Sequence, residues 1–120
     1  MSHRGLGILD INLYNYEAVL NTKFNMTKKD RLMYRGTSLT HVMTFTGVNL
    51  VDGKPNRWKI QNSWGEAEGK KGFYIMSDRW FDEYVFKVII NKKHISNEIL
   101  KQYEKAPIIL SPWDQVGPLF

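Results

Sequence analysis

The sequence predicts an α+β fold, in which an antiparallel β-sheet carries short peripheral helices. Two β-rich runs flank Asp52-Gly53, the kind of residue pair favoured at the centre of a type I′ hairpin. Helix-start signals stand at Thr27 and Ser96, towards the two ends of the chain. No repeat or linker divides the 120 residues, so we expect a single domain over residues 1–120.

The first part of the chain predicts two helices. Residues 8–25 hold scattered apolar positions, which indicate a short helix with irregular flanks. Thr27 is the expected N-cap of a second helix, since Asp30 follows three residues later in a variant of the capping box. That helix should pass through Tyr34 and stop near Gly36.

The remainder predicts the sheet and a last helix. Strands are expected at residues 40–50, 56–62, 72–77 and 86–91, with a short helix or turn at 78–85. Ser96 should cap a helix that runs to about Lys105, and Pro107 should end it. The tail that follows is expected to be extended.

Composition and charge limit the classes of function. The chain contains no cysteine, which excludes disulfides, thiolate metal sites and a thiol nucleophile within these residues. No run is long enough to cross a membrane and no signal peptide is evident, so we expect a cytoplasmic protein without membrane contact. The histidines, at positions 3, 41 and 94, lack metal-ligand spacing. We expect no metal and no cofactor.

The net charge of +5 and pI of about 9.5 come with three lysine pairs, at residues 28–29, 70–71 and 92–93. A nucleic-acid surface is one interpretation. Solvated lysines in loops and at helix ends are the interpretation that we favour, because no nucleic-acid-binding motif accompanies the pairs.

The predicted hairpin brings His41, Asn62 and Trp64 together. Counting outward from Asp52-Gly53 pairs His41 with Trp64 and Met43 with Asn62, and residues two apart on a strand share a face. An Asn oxygen that accepts from one imidazole nitrogen would orient the ring and leave the other nitrogen free for proton exchange. The alternative is a structural core histidine beside a strand-end asparagine.

Several motifs carry a family resemblance. THVMTFTGV, RWKIQNSWGE, KKGFYIMSDRWFDEYVFKVIINK and PWDQVGPLF resemble the C-terminal part of the bleomycin hydrolase and aminopeptidase C family of papain-like cysteine peptidases. The resemblance implies a single partial domain, the C-terminal, His/Asn-bearing half of that fold. It implies that His41 is the catalytic histidine, Asn62 the asparagine that orients it, and Trp64 the indole that shields their hydrogen bond.

The chain also departs from the family pattern. The family's nucleophilic cysteine and its oxyanion-hole glutamine lie upstream of the histidine, in a helical half that is not among these residues. GTSLTH is one residue shorter than the usual approach to His41, and Gln61 stands where the family has glutamate. In relatives the C-terminal carboxylate holds the substrate's free amine, which implicates Phe120 by position.

We therefore expect the C-terminal portion of a cysteine-type aminopeptidase that hydrolyses peptides and is inactive by itself. The alternative is a non-catalytic remnant or partner-binding half-domain, and a basic nucleic-acid-binding module is a weaker one. The resemblance implies three kinds of partner: a peptide substrate, a cysteine-bearing N-terminal half or a second copy on the exposed cleft face, and the homohexamer that family members form.

Overall fold

The computed structural model describes residues 2–114. Its strands are β1 (Ser2–His3), β2 (Ile8–Leu9), β3 (Thr44–Val51), β4 (Lys54–Gln61) and β5 (Phe73–Ser77). Its helices are α1 (Tyr16–Leu20), α2 (Lys28–Met33), α3 (Asp78–Tyr84) and α4 (Asn97–Tyr103), with a 3₁₀ turn at Lys92–His94. Among these residues no helix has the length and apolar character needed to span a membrane.

The five strands form one sheet in the order β1-β2-β5-β4-β3. Neighbouring strands are antiparallel except β2 and β5, which run parallel through two residue pairs. The predicted α+β class is confirmed, and the sheet is mixed at that one pair. Strands β1 and β2 were not predicted, because two residues are too few to show an alternating pattern.

The hairpin turn between β3 and β4 is as predicted. Asp52 and Gly53 have φ angles of 50° and 75°, the left-handed pair that a type I′ turn requires. The register shifts once between Asn49 and Leu50 and again between Phe45 and Gly47. The two shifts compensate, since Thr44 pairs with Gln61 as a regular hairpin from this turn would have it.

The helices fall where the sequence places them, but one strand does not form. Ser96 caps α4 and accepts a hydrogen bond from the Ile99 N–H at 3.4 Å. Residues 86–91, the predicted fourth strand, have no regular structure. Their β-branched run has strand propensity, but a strand also needs a partner, and this segment pairs with none within residues 2–114.

A small core lies between one face of the sheet and α3. Ile60 and Met76 are fully enclosed, with Leu9 and Tyr74 beside them. The indole Nε1 of Trp58 donates to Asp78 Oδ1 at 2.8 Å, which fastens the start of α3 to β4. This core fixes the ends of β4 and β5 from which the candidate site projects.

The chain divides into two compact units. We call residues up to Lys28 together with Thr40–Val85 the sheet unit, and Lys29–Leu39 together with the chain from Phe86 onward the tail unit. The sheet unit contains the whole β-sheet and all the buried residues of the described range; the tail unit contains α4 and most of α2. That residues 1–120 form a single partial domain stays a prediction.

Candidate active site

His41 and Asn62 meet at the open end of the β3–β4 hairpin. Asn62 directly follows β4, and His41 lies three residues before β3, so neither stands on a strand as predicted. Their side chains are nevertheless joined, because His41 Nε2 lies 2.8 Å from Asn62 Oδ1. The predicted proximity is confirmed, and the predicted strand at 40–50 begins four residues late, at Thr44.

The orientation of the Asn62 carboxamide follows from its surroundings. Its Oδ1 also accepts the backbone N–H of Ser63 at 2.8 Å, and an N–H can be accepted only by the oxygen. His41 Nε2 must therefore carry the proton that it shares with Oδ1. This tautomer leaves Nδ1 as the unprotonated nitrogen of a neutral ring, available to take up a proton.

The indole of Trp64 covers His41. The two rings are stacked, with their centroids 4.8 Å apart and their planes 24° from parallel. The guanidinium carbon of Arg4 lies 4.5 Å from the Trp64 ring centroid, in a cation–π contact. Asn62 is only 7% exposed, whereas His41 is exposed. The imidazole can thus be reached from outside while the group that orients it is protected from water.

Behind Asn62 lies a second polar pair that the sequence did not reveal. The Tyr74 hydroxyl donates to Glu68 Oε2 at 2.7 Å, and Tyr74 is 2% exposed. Burial, and next the hydrogen bond to the Glu68 carboxylate, raise the pKa of Tyr74. The Asn62 amide acts in the opposite direction and lowers that pKa, although no hydrogen bond of standard geometry reaches Asn62 Nδ2.

Of the predicted site residues, the structure brings His41, Asn62 and Trp64 together. Phe120 lies outside the described residues. Sequence reasoning missed Arg4, Glu68 and Tyr74. Strand alternation carried a signal for Tyr74, since it pairs with Ile60 on the core face of the sheet, but nothing local marks a tyrosine as a neighbour of Asn62.

Comparison with known proteins gives consistent matches. Residues 1–117 match the Peptidase C1-like family. Aminopeptidase C of Listeria innocua is 43% identical over 119 residues, which are 99% of this chain and 27% of the relative. Human bleomycin hydrolase is 44% identical over 118 residues, 95% of this chain and 26% of the relative.

A solved structure agrees with these sequence matches. The crystal structure of pepw from Lactobacillus rhamnosis HN001 superposes with a TM-score of 0.86 and 50% identity, over 99% of this chain and 27% of that one. The fold is thus the α+β C-terminal part of a papain-like cysteine peptidase. The chain belongs to the Peptidase C1-like family, and it spans about a quarter of the length of the relatives that it matches.

Proposed function

We propose that this chain supplies the acid–base part of a cysteine peptidase of aminopeptidase type. The observation that carries the proposal is the 2.8 Å contact between His41 Nε2 and Asn62 Oδ1. Asn62 orients the imidazole and Trp64 excludes water from the bond. A Cys–His–Asn set works in this way, with the histidine exchanging protons with the thiol and the asparagine holding the ring.

The proposed chemistry uses Nδ1 of His41. The sulfhydryl of a cysteine outside these 120 residues gives its proton to Nδ1, and the thiolate attacks the carbonyl carbon of a peptide bond. The imidazolium then returns the proton to the leaving amine as the acyl-enzyme forms, and in the second half-reaction the same nitrogen activates water. Asn62 Oδ1 accepts from Nε2–H throughout, so the ring does not rotate away.

That the substrate is a peptide, and that residues are cleaved from its amino end, is proposed because the relatives carry the names aminopeptidase C and bleomycin hydrolase. A complementation experiment tests the proposal. Residues 1–120 are co-expressed with the preceding, cysteine-bearing portion of the Listeria innocua relative, and hydrolysis of an aminoacyl fluorogenic amide is measured. We expect activity from the mixture and none from residues 1–120 alone, which contain no thiol.

His41→Ala should reduce the activity of the mixture by at least about 10²-fold, the usual contribution of a positioned acid–base group. The matched control is His94→Ala, a histidine of the 3₁₀ turn in the tail unit, which should leave the rate unchanged. Full activity in the His41→Ala mixture, or hydrolysis by residues 1–120 alone, would contradict the proposal.

A further inference from the structure

Asn62 has a buried amide group without a hydrogen-bond partner. Asn62 Nδ2 is fully enclosed and has no hydrogen bond of standard geometry. Leaving a buried donor unpaired costs about 1–3 kcal/mol, so a native structure normally places an acceptor near it. Any acceptor that serves this group acts on the same carboxamide whose oxygen holds His41.

The sheet register places one acceptor beside Asn62. The Asn62 N–H donates to the Gly72 carbonyl at 3.0 Å, which continues the register in which Ile60 pairs with Tyr74. Asn62 and Tyr74 are therefore diagonal neighbours on one face of the sheet. The single hydroxyl hydrogen of Tyr74 goes to Glu68 Oε2 at 2.7 Å, so the lone pairs of the phenol oxygen are free to accept.

We infer that Tyr74, with its hydroxyl held by Glu68, is a positioning residue for Asn62. The Glu68 carboxylate takes the phenol hydrogen, the phenol oxygen accepts from Asn62 Nδ2–H, and Asn62 Oδ1 accepts from His41 Nε2–H. Every donor in this series points towards Glu68. If the carboxamide were rotated by half a turn, the donor Nδ2 would face two other donors, the Ser63 N–H and the His41 Nε2–H. Oδ1 would then face the phenol oxygen. The role in catalysis rests on the proposed function.

The neighbouring carbonyls around the start of β5 are engaged with the backbone, since Gly72 accepts the Asn62 backbone N–H and Phe73 accepts from Lys70 N–H, each at 3.0 Å. The Arg4 carbonyl accepts from Gly69 N–H at 3.1 Å, which ties the residue next to Glu68 to the loop between β1 and β2.

Nuclear magnetic resonance of the full 120-residue chain, labelled with ¹⁵N in asparagine side chains and histidine rings, tests this inference without any enzymatic assay. In the unaltered chain we expect slow hydrogen exchange of the Asn62 carboxamide and ring ¹⁵N shifts of His41 typical of one tautomer. In Tyr74→Phe, which keeps the buried ring, we expect carboxamide exchange at least tenfold faster and His41 shifts that report a mixture of tautomers.

Three further variants complete the test. Glu68→Ala keeps the tyrosine and should give the same two changes. Glu68→Gln retains an acceptor for the hydroxyl, so the carboxamide exchange and the His41 shifts should stay as in the unaltered chain. Tyr103→Phe, at an exposed tyrosine of α4, should change neither. Unchanged exchange and His41 shifts in Glu68→Ala overturn the inference, and so do unchanged signals in a folded Tyr74→Phe. Activity of the complemented enzyme is decided separately, so a failure here leaves the proposed function standing, and the reverse also holds.

Discussion

At the scale of single residues, Asn62 makes two hydrogen bonds through one atom. Its oxygen caps the Ser63 N–H and holds the His41 ring. Because both bonds end on one oxygen of a buried side chain, the imidazole is held in a fixed position relative to the backbone at the end of β4, a strand that is paired on both sides. Catalysis is sensitive to such placement, since a displacement of about 1 Å can cost about 10²-fold in rate.

Asn62→Ala should therefore lower kcat of the complemented enzyme by about 10²-fold with little change in KM, because ring orientation matters most in the transition state. The rate measurement is paired with Asn49→Ala, an asparagine of β3 whose side chain donates to exposed Asn56 at 2.8 Å. The control should keep kcat within about twofold. Equal losses in the two variants would show that Asn62 acts through the stability of the sheet.

Tyr74 gives a prediction for alkaline pH. Its pKa is raised in the folded chain, chiefly by burial and then by the Glu68 carboxylate. The folded state thus keeps the proton at pH values where the unfolded state, with a pKa of about 10, loses it. The contribution to stability is complete below about pH 10 and decreases as the pH rises through the folded-state pKa.

Urea unfolding at pH 8 and pH 11 should show a smaller loss of stability in Tyr74→Phe than in the unaltered chain. Subtracting the stability lost between pH 8 and pH 11 in Tyr74→Phe from that lost in the unaltered chain removes the contribution of the lysines, which is common to both proteins. A loss of the same size in both would mean that Tyr74 ionises equally easily in the folded and unfolded states.

At the scale of elements, the sequence predicts what local chemistry decides. The Asp52-Gly53 turn, the Ser96 cap and the alternation of β4 are each specified by a few adjacent residues, and each is confirmed. Residues 86–91 also have strand propensity, but whether they form a strand depends on pairing with residues far away in sequence. The His41–Asn62 contact was predictable because it follows from counting residue pairs outward from the turn. The Glu68–Tyr74 contact depends instead on the path of a loop.

Two glycines allow the free-energy cost of an unfavourable backbone conformation to be compared with the cost of a packing conflict. Gly53 has φ +75° with open space around its missing Cβ, while a Cβ on Gly69, at φ +62°, would lie 2.5 Å from the Phe73 carbonyl oxygen and 2.8 Å from Tyr74 Cδ1. Gly53→Ala should cost about 1–2 kcal/mol, from backbone conformation alone. Gly69→Ala should cost about 1–3 kcal/mol more, because the ring or the loop must move.

Chemical unfolding of the two variants measures this difference. Gly69→Ala should also disturb the Asn62 carboxamide resonances, because Tyr74 lies next to that amide. Gly53→Ala, at the other end of the hairpin, should leave them alone. Equal destabilisation of the two variants would rule out a packing requirement at Gly69.

At the scale of the whole molecule, large apolar surfaces are uncovered. Every residue of β3 is exposed, and no described residue of the tail unit is buried. Ile89, Ile108 and Ile109 expose 85%, 88% and 90% of their surface. Apolar patches of this kind usually mark the place of a partner, and the relatives are almost four times as long as this chain. A cysteine-bearing portion of the protein is the partner that we propose for these surfaces.

Without that partner, residues 1–120 should self-associate, since a second copy is then the apolar surface at hand. Sedimentation velocity across a tenfold range of concentration should show the mean sedimentation coefficient rising with concentration. Replacing Ile108 and Ile109 together with lysine should shift the distribution towards the monomer, whereas adding the same charge at exposed Gln102 and Ser111 should not, because those positions remove no apolar surface. Co-expression with the cysteine-bearing portion should replace self-association by a single mixed complex. A compact monomer that melts cooperatively at every concentration would show instead that the chain covers its own apolar surface.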